Sequence, residues 1–162
     1  MKLKRMKLKR NSLLGFIIAV ALALSSCNRQ TIYSHYEPVD IDGWERSDTL
    51  WFYAGGLTEG CYNEQVGLRI NGNYPFKDLS LVVEQRLLST QTIIKCDTLN
   101  LAITDDDGFF QGEGLSLLQY ETGLGTISLP TSDTLQVAII HNMKREVMPG
   151  IADVGITLQK AP

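Results

Sequence analysis

Apolar side chains recur at every second position through much of this chain, and that period restricts what it can fold into. Leu135, Val137 and Ile139 alternate with other residues, as do Val154, Ile156 and Leu158. Leu79, Leu81, Val83 and Leu87 share one face of a run whose other face carries Ser80, Glu84 and Arg86. Val66, Leu68 and Ile70 are separated by Gly67 and Arg69. Successive side chains of a strand point to opposite faces, so this is the pattern of strands with one face on a core and the other in solvent. The first two of these runs extend over 134–141 and 153–160, and further strands are expected over 48–54, 92–103 and 125–130. Asn71-Gly72-Asn73 and Asp105 to Gly108 supply turn chemistry between them. Helical signals are scarce: 115–121 and 141–147 each have room for a turn or two. Seven or eight short strands with glycine-rich turns predict an all-β fold, a two-sheet antiparallel β-sandwich of jelly-roll or Ig-like type, forming a single domain.

The first 26 residues stand apart from that pattern. Met1 to Arg10 carry six basic residues and no acid, and Leu13 to Leu24 is almost entirely apolar. Ser25-Ser26-Cys27 follows. A basic segment, a short apolar run and small residues at a cut site describe a secretory signal peptide, and the run is shorter than the roughly 20 residues a span needs. Leu24-Ser25-Ser26-Cys27 resembles the lipobox of bacterial lipoproteins, in which the chain is cut before the cysteine and the thiol accepts lipid. The expected organisation is therefore a lipoprotein signal peptide over 1–26, a lipidated Cys27 with a tether over 27–42, and a β-sandwich domain over 43–162. Tyr33 to Tyr36 within the tether have the alternative of pairing as an edge strand.

Charge then narrows the partners. All 18 acidic residues follow Cys27, while six of the 15 basic residues precede it, so residues 27–162 carry a formal charge of −9. A domain this acidic has no positive field for nucleic acid or anionic lipid. Its membrane partner is reached through lipid on Cys27, where two or three acyl chains hold firmly and one does not. No acid lies between Cys27 and Glu37. Surface-exposed lipoproteins of Bacteroidetes usually carry an acidic cluster there, so the expected location is the outer membrane with the domain facing the periplasm.

Few residues offer chemistry. Cys61 and Cys96 are allowed a disulfide in an oxidising compartment, and the alternative is two separate thiols. Asp105-Asp106-Asp107-Gly108 offers oxygen ligands for calcium, but the EF-hand spacing is not met, and a hairpin turn explains the same residues better. His35 and His141 are the only histidines. They are far apart in sequence and no nucleophile motif accompanies either, so surface or core roles outweigh catalysis. No metal site, cofactor site or enzyme active site is predicted. In Trp51-Phe52-Tyr53 the middle ring must point opposite to its neighbours, placing at least one aromatic in the core and leaving others for an outer face. Trp44, Tyr74 and Phe76 add to an aromatic set that serves cores and interfaces more often than sugar platforms.

Several ordered motifs together resemble the gliding motility lipoprotein GldH family of Bacteroidetes. Tyr33-Ser-His-Tyr-Glu-Pro-Val with Gly43-Trp44, Asp48 and Phe52 is similar to the family's opening. Arg69 to Leu79, containing Asn71-Gly-Asn-Tyr-Pro75, is similar to its hairpin. Asp97-Thr-Leu99, Gly108 and Gly112-Glu-Gly114 match its middle, and His141-Asn-Met143 with Pro149-Gly-Ile-Ala-Asp-Val-Gly-Ile156 matches its ending. The resemblance implies an outer-membrane lipoprotein associated with gliding motility and the type IX secretion apparatus. It implies envelope proteins as partners, no known enzymatic activity, and no functional residue to carry over beyond Cys27. A glycan-binding or other ligand-binding envelope lipoprotein is the alternative expectation.

Overall fold

A computed structural model describes residues 31–40 and 42–161. The expected signal peptide, lipobox and lipidated Cys27 lie outside those residues. Ten strands follow in chain order: β1 (Thr31–Pro38), β2 (Trp44–Glu45), β3 (Leu50–Leu57), β4 (Gly60–Ile70), β5 (Asp78–Leu87), β6 (Thr92–Ala102), β7 (Leu118–Leu129), β8 (Asp133–His141), β9 (Val147–Met148) and β10 (Ile151–Lys160). Every pairing is antiparallel. One four-stranded sheet has the order β1-β10-β4-β7, the other β3-β8-β5-β6, and β2 and β9 form a short separate ribbon. The two sheets face each other as the all-β sandwich expected from the alternation.

The alternating residues meet in the middle. Val66, Leu68, Val154, Ile156 and Leu158 from the first sheet and Leu79, Leu81, Val83, Leu135, Val137 and Ile139 from the second are all buried. Burying one such side chain stabilises by about 1.5–3 kcal/mol relative to exposure, which makes a one-residue register slip very costly.

Three expectations are corrected. Residues 31–38 are not tether but a full edge strand, with Thr31 opposite Gln159 and Pro38 opposite Asp153, so the domain begins at least twelve positions before residue 43. Their weak hydrophobic pattern is that of an edge strand, whose outer face needs no apolar residues. The short helical turns do not form: 118–121 belong to β7, and 142–146 are irregular chain before β9. The disulfide is absent as well. Cys61 lies on β4 and Cys96 on β6, in different sheets, and both are exposed free thiols. Each occupies the outward phase of its strand, so their Cβ atoms point away from each other across the core.

The first sheet has a glycine trough on its outer face. Gly155 and Gly67 lie side by side opposite Tyr36, and the Tyr36 ring covers both. A Cβ on Gly155 would sit 2.7 Å from that ring. Arg69 stacks on the other side of the ring, 4.2 Å from its centroid, and also faces Asp153 at 3.5 Å. An aromatic lying across strand glycines restores the side-chain contacts they lack. Tyr36→Ala is expected to cost about 2 kcal/mol, below the value for a fully buried ring because Tyr36 is half-buried. Urea unfolding checks this.

The ends of the sandwich differ. At one, the hairpin end, connections are short: 58–59, 88–91 and 130–132. Thr31 and Lys160 lie there too, beside Tyr62 and Leu57. At the other, the apex, they are long: 39–49, 71–77, 103–117 and 142–150, with β2 and β9 among them.

Candidate functional site

The motifs that stood out in the sequence are far apart in the chain, and the fold gathers most of them at the apex. Trp44 in β2 pairs with Met148 in β9, and both are buried. The Trp44 indole N–H donates to the Asp48 carbonyl at 2.9 Å. Its ring meets that of His141 edge-on, with centroids 5.2 Å apart. Gly43 is small because Val147 lies directly against it. The turn of Asn71 to Tyr74 docks on the turn before β10: the Asn71 amide donates to the Gly150 carbonyl at 2.8 Å. The Tyr74 hydroxyl donates to the Asp78 carbonyl at 2.8 Å, closing the loop that Pro75 stiffens.

Gly150 is the joint between these turns. Its φ is +84°, in the left-handed region, and a Cβ would lie 2.6 Å from the Tyr74 nitrogen. Both facts exclude a side chain. Gly150→Ala is expected to cost at least about 2 kcal/mol, from left-handed strain plus displacement of the 71–74 backbone. Thermal unfolding followed by circular dichroism reads the loss. By contrast Gly72 keeps a negative φ, so that turn does not use its conformational freedom.

His141 is a core residue here. It is 1% exposed, and neither ring nitrogen makes a well-formed hydrogen bond. Burial holds its pKa below the ordinary 6.5, although the nearby backbone of Trp44 and Glu146 pulls the other way. His35 lies in the other sheet, exposed, with Nε2 2.9 Å from Glu37. The two histidines are not brought together. Asp105 is occupied by its own turn, its Oδ1 accepting from the amides of Asp107 at 3.0 Å and Phe109 at 2.8 Å. Gly108 at φ +89° completes the reversal, as the turn reading required.

A second surface was only half visible in the sequence. Phe52 is buried, while Trp51 and Tyr53 project from the outer face of the second sheet, 40% and 51% exposed. Arg86 lies over the Trp51 ring at 6.0 Å, and Gln136 donates to the Tyr53 hydroxyl at 3.1 Å. Which ring faced outward depended on the register of Trp51 with Ala138 and Tyr53 with Gln136.

One sheet edge is guarded. β6 is an edge strand, yet Lys95 and Asp97 point inward, and Lys95 reaches the buried Glu64 of β4 at 3.2 Å. Inward charges on an edge discourage another strand from pairing there. Nearer the apex β6 and β7 part, leaving an open cleft of about 680 Å³ lined by amide and acidic side chains such as Asn100, Gln111, Gln119 and Glu121.

Against this geometry stand the likenesses to known proteins. The family described as GldH lipoprotein matches residues 31–158, which is the whole folded domain but for its last few residues. The chain belongs to the GldH lipoprotein family. Within it, the gliding motility lipoprotein GldH of Flavobacterium johnsoniae is 27% identical over 154 residues, covering 90% of this chain and 95% of that protein. Among solved structures, a family GH115 4-O-methyl-α-glucuronidase aligns at TM-score 0.49 and 11% identity, over 84% of this chain and only 18% of the enzyme. A non-crystalline cellulose-specific carbohydrate-binding module aligns at TM-score 0.42 and 12% identity, over 85% of this chain and 80% of the module. At such scores these two likenesses carry no argument about function. The match with the GldH lipoprotein family begins at β1 rather than at residue 43.

Proposed function

We propose that this protein is a non-enzymatic accessory component of the gliding motility and type IX secretion envelope machinery. It is held on the outer membrane by lipid on Cys27, faces the periplasm and binds other envelope proteins. The observation that carries this reading is the unbroken family match over the folded domain, 31–158, joined to a relative named for gliding motility that the chain covers almost end to end. The apex adds support. The residues that carry the resemblance there are engaged in packing and turn geometry, and the one histidine among them is sealed in the core and held neutral.

In-cell crosslinking of a tagged chain, followed by mass spectrometry, tests the proposal, with Cys27→Ala as control. Recovery of gliding or type IX secretion components, lost in the control, is the expected result. Recovery of glycan-uptake proteins alone would overturn it.

Glycan binding remains the second reading because Trp51 and Tyr53 stand exposed side by side with Arg86 and Gln136 around them. Aromatic faces bordered by hydrogen-bonding groups suit sugar rings. The chain has two tryptophans, and Trp44 is buried, so a change in indole fluorescence on adding a soluble polysaccharide would report Trp51. No change across a polysaccharide panel would remove this reading.

A further inference from the structure

We infer that the domain stands end-on to the bilayer, with the hairpin end against the lipid headgroups and the apex pointing away from it. The inference rests on the proposed lipid anchor at Cys27. Its two supports are chain length and charge.

Only residues 28–30 separate Cys27 from the start of β1. A fully extended chain spans at most about 3.6 Å per residue, so Thr31 stays within roughly 14 Å of the anchored cysteine. β1 is eight residues long and runs from the hairpin end to the apex. At about 3.3 Å per residue it covers roughly 26 Å. An inverted domain, apex down, would hold Thr31 farther from the membrane than its anchor permits. The tether thus leaves two postures, upright or lying on one face.

Charge and the position of β1 in the first sheet separate those two. The hairpin-end connections 58–59, 88–91 and 130–132 contain one charged residue, Glu59. Their other residues are Thr, Ser, Gln, Pro and Leu; that Leu, Leu88, is exposed, as is Ile32 on β1. Asp133, just beyond, is turned into a cap, accepting from the hydroxyl and amide of Ser89. The apex loops hold Asp40, Asp42, Glu45, Asp48, Asp105 to Asp107, Glu113 and Glu146, which is nine of the chain's 18 acids, against four basic residues. Bacterial phospholipid surfaces carry anionic headgroups among zwitterionic ones, so they repel the apex and tolerate a neutral hydroxyl-rich end with two exposed aliphatic side chains. The flat faces are less suited. The outer face of the first sheet carries Glu121 and Asp153 against one base, Arg69. That of the second pairs Glu84 with Arg86 and is neutral, but β1 belongs to the opposite sheet, about 10 Å farther from a bilayer under that face, which takes up most of the tether's reach. Upright, the motif-bearing apex is presented to partners across the periplasm, beyond the headgroup layer.

The test uses the full lipidated chain on vesicles of phosphatidylethanolamine and phosphatidylglycerol, with Cys61→Ser and Cys96→Ser removing both free thiols. A fluorophore is attached at Ser89→Cys, Thr98→Cys or Asp106→Cys, which report the hairpin end, the face of the second sheet and the apex. Lipids spin-labelled at the headgroup serve as quenchers. Quenching severalfold stronger at position 89 than at 98 or 106 is the expected result. Strongest quenching at 98 would mean that the domain lies on its aromatic face, and equal or stronger quenching at 106 would mean that the apex meets the bilayer; either overturns the inference. Intact mass read on the same sample shows whether Cys27 carries lipid. An unlipidated Cys27 overturns the anchor and the orientation with it, whereas a lipidated chain with the wrong quenching pattern overturns the orientation alone.

Discussion

Lys95→Met is expected to destabilise the domain by about 3 kcal/mol at neutral pH, the lower end of the range for stripping one partner from a buried ion pair. The reason lies at Glu64. Its side chain is 0% exposed, in the inward phase of β4, and its Oε2 receives the Lys95 ammonium at 3.2 Å and the Gln85 amide at 3.1 Å. Its Oε1 has no partner. Burial raises the Glu64 pKa, and Lys95 and Gln85 offset that rise in part, while Asp97 adds to it. For Lys95 burial alone would lower the pKa, but Asp97 and Glu64 together raise it. Both pKa values rise, which disfavours the charged carboxylate and favours the charged ammonium; the difference is one of depth, since Lys95 is 21% exposed and keeps contact with water, whereas Glu64 does not.

The sign of the pH dependence follows. An acid whose folded pKa lies above its unfolded value binds its proton more tightly in the native state. It favours folding at acid pH and loses that contribution as pH rises through the folded pKa. Without Lys95 the Glu64 pKa rises further, so the deficit of Lys95→Met is largest near neutrality and shrinks on acidification as the carboxyl becomes protonated. Glu64→Gln removes the buried charge while Lys95 keeps Asp97, 3.1 Å away. Its cost at neutral pH is expected to be much smaller. Urea unfolding of the three proteins at several pH values measures both statements. A deficit for Lys95→Met that does not change with pH would refute the account.

Trp44→Ala is expected to be the most damaging single truncation, about 3–5 kcal/mol for a buried large aromatic. Three things fail together: the contact with His141, the cap on the Asp48 carbonyl, and the β2–β9 ribbon that closes the apex. His141 reports on the same event. Its folded pKa is depressed, so neutral imidazole stabilises the fold above the unfolded value of 6.5, and the contribution is lost as pH falls below it towards the folded pKa. Opening the apex readmits water and returns the His141 pKa towards its ordinary value. Imidazole titration by NMR follows the pKa, and denaturant unfolding measures the stability loss. An unchanged His141 titration would show that Trp44 does not seal that ring.

The strands and their inner faces were legible in the sequence because half-buried strands write a period of two into the chain. Leu135, Val137 and Ile139, or Val154, Ile156 and Leu158, announced the core without any knowledge of partners. The Asp105 to Gly108 reversal was legible for a similar reason, since its chemistry is local. Other features depended on which strand lay beside which. Tyr36 was one tyrosine in a polar stretch until β1 paired with β10 and set its ring over Gly155 and Gly67. Glu64 was one acid among 18 until β4 faced β5 and β6 across the core. Cys61 and Cys96 were a permissible bridge until their strands fell in different sheets with both thiols outward. Trp44, Tyr74, His141 and Gly150 were separate family motifs until the long loops met at one end. Period and turn chemistry are properties of neighbouring residues, so the sequence alone determined them; register and sheet order decide contacts between residues distant along the chain, and only the tertiary structure contains those.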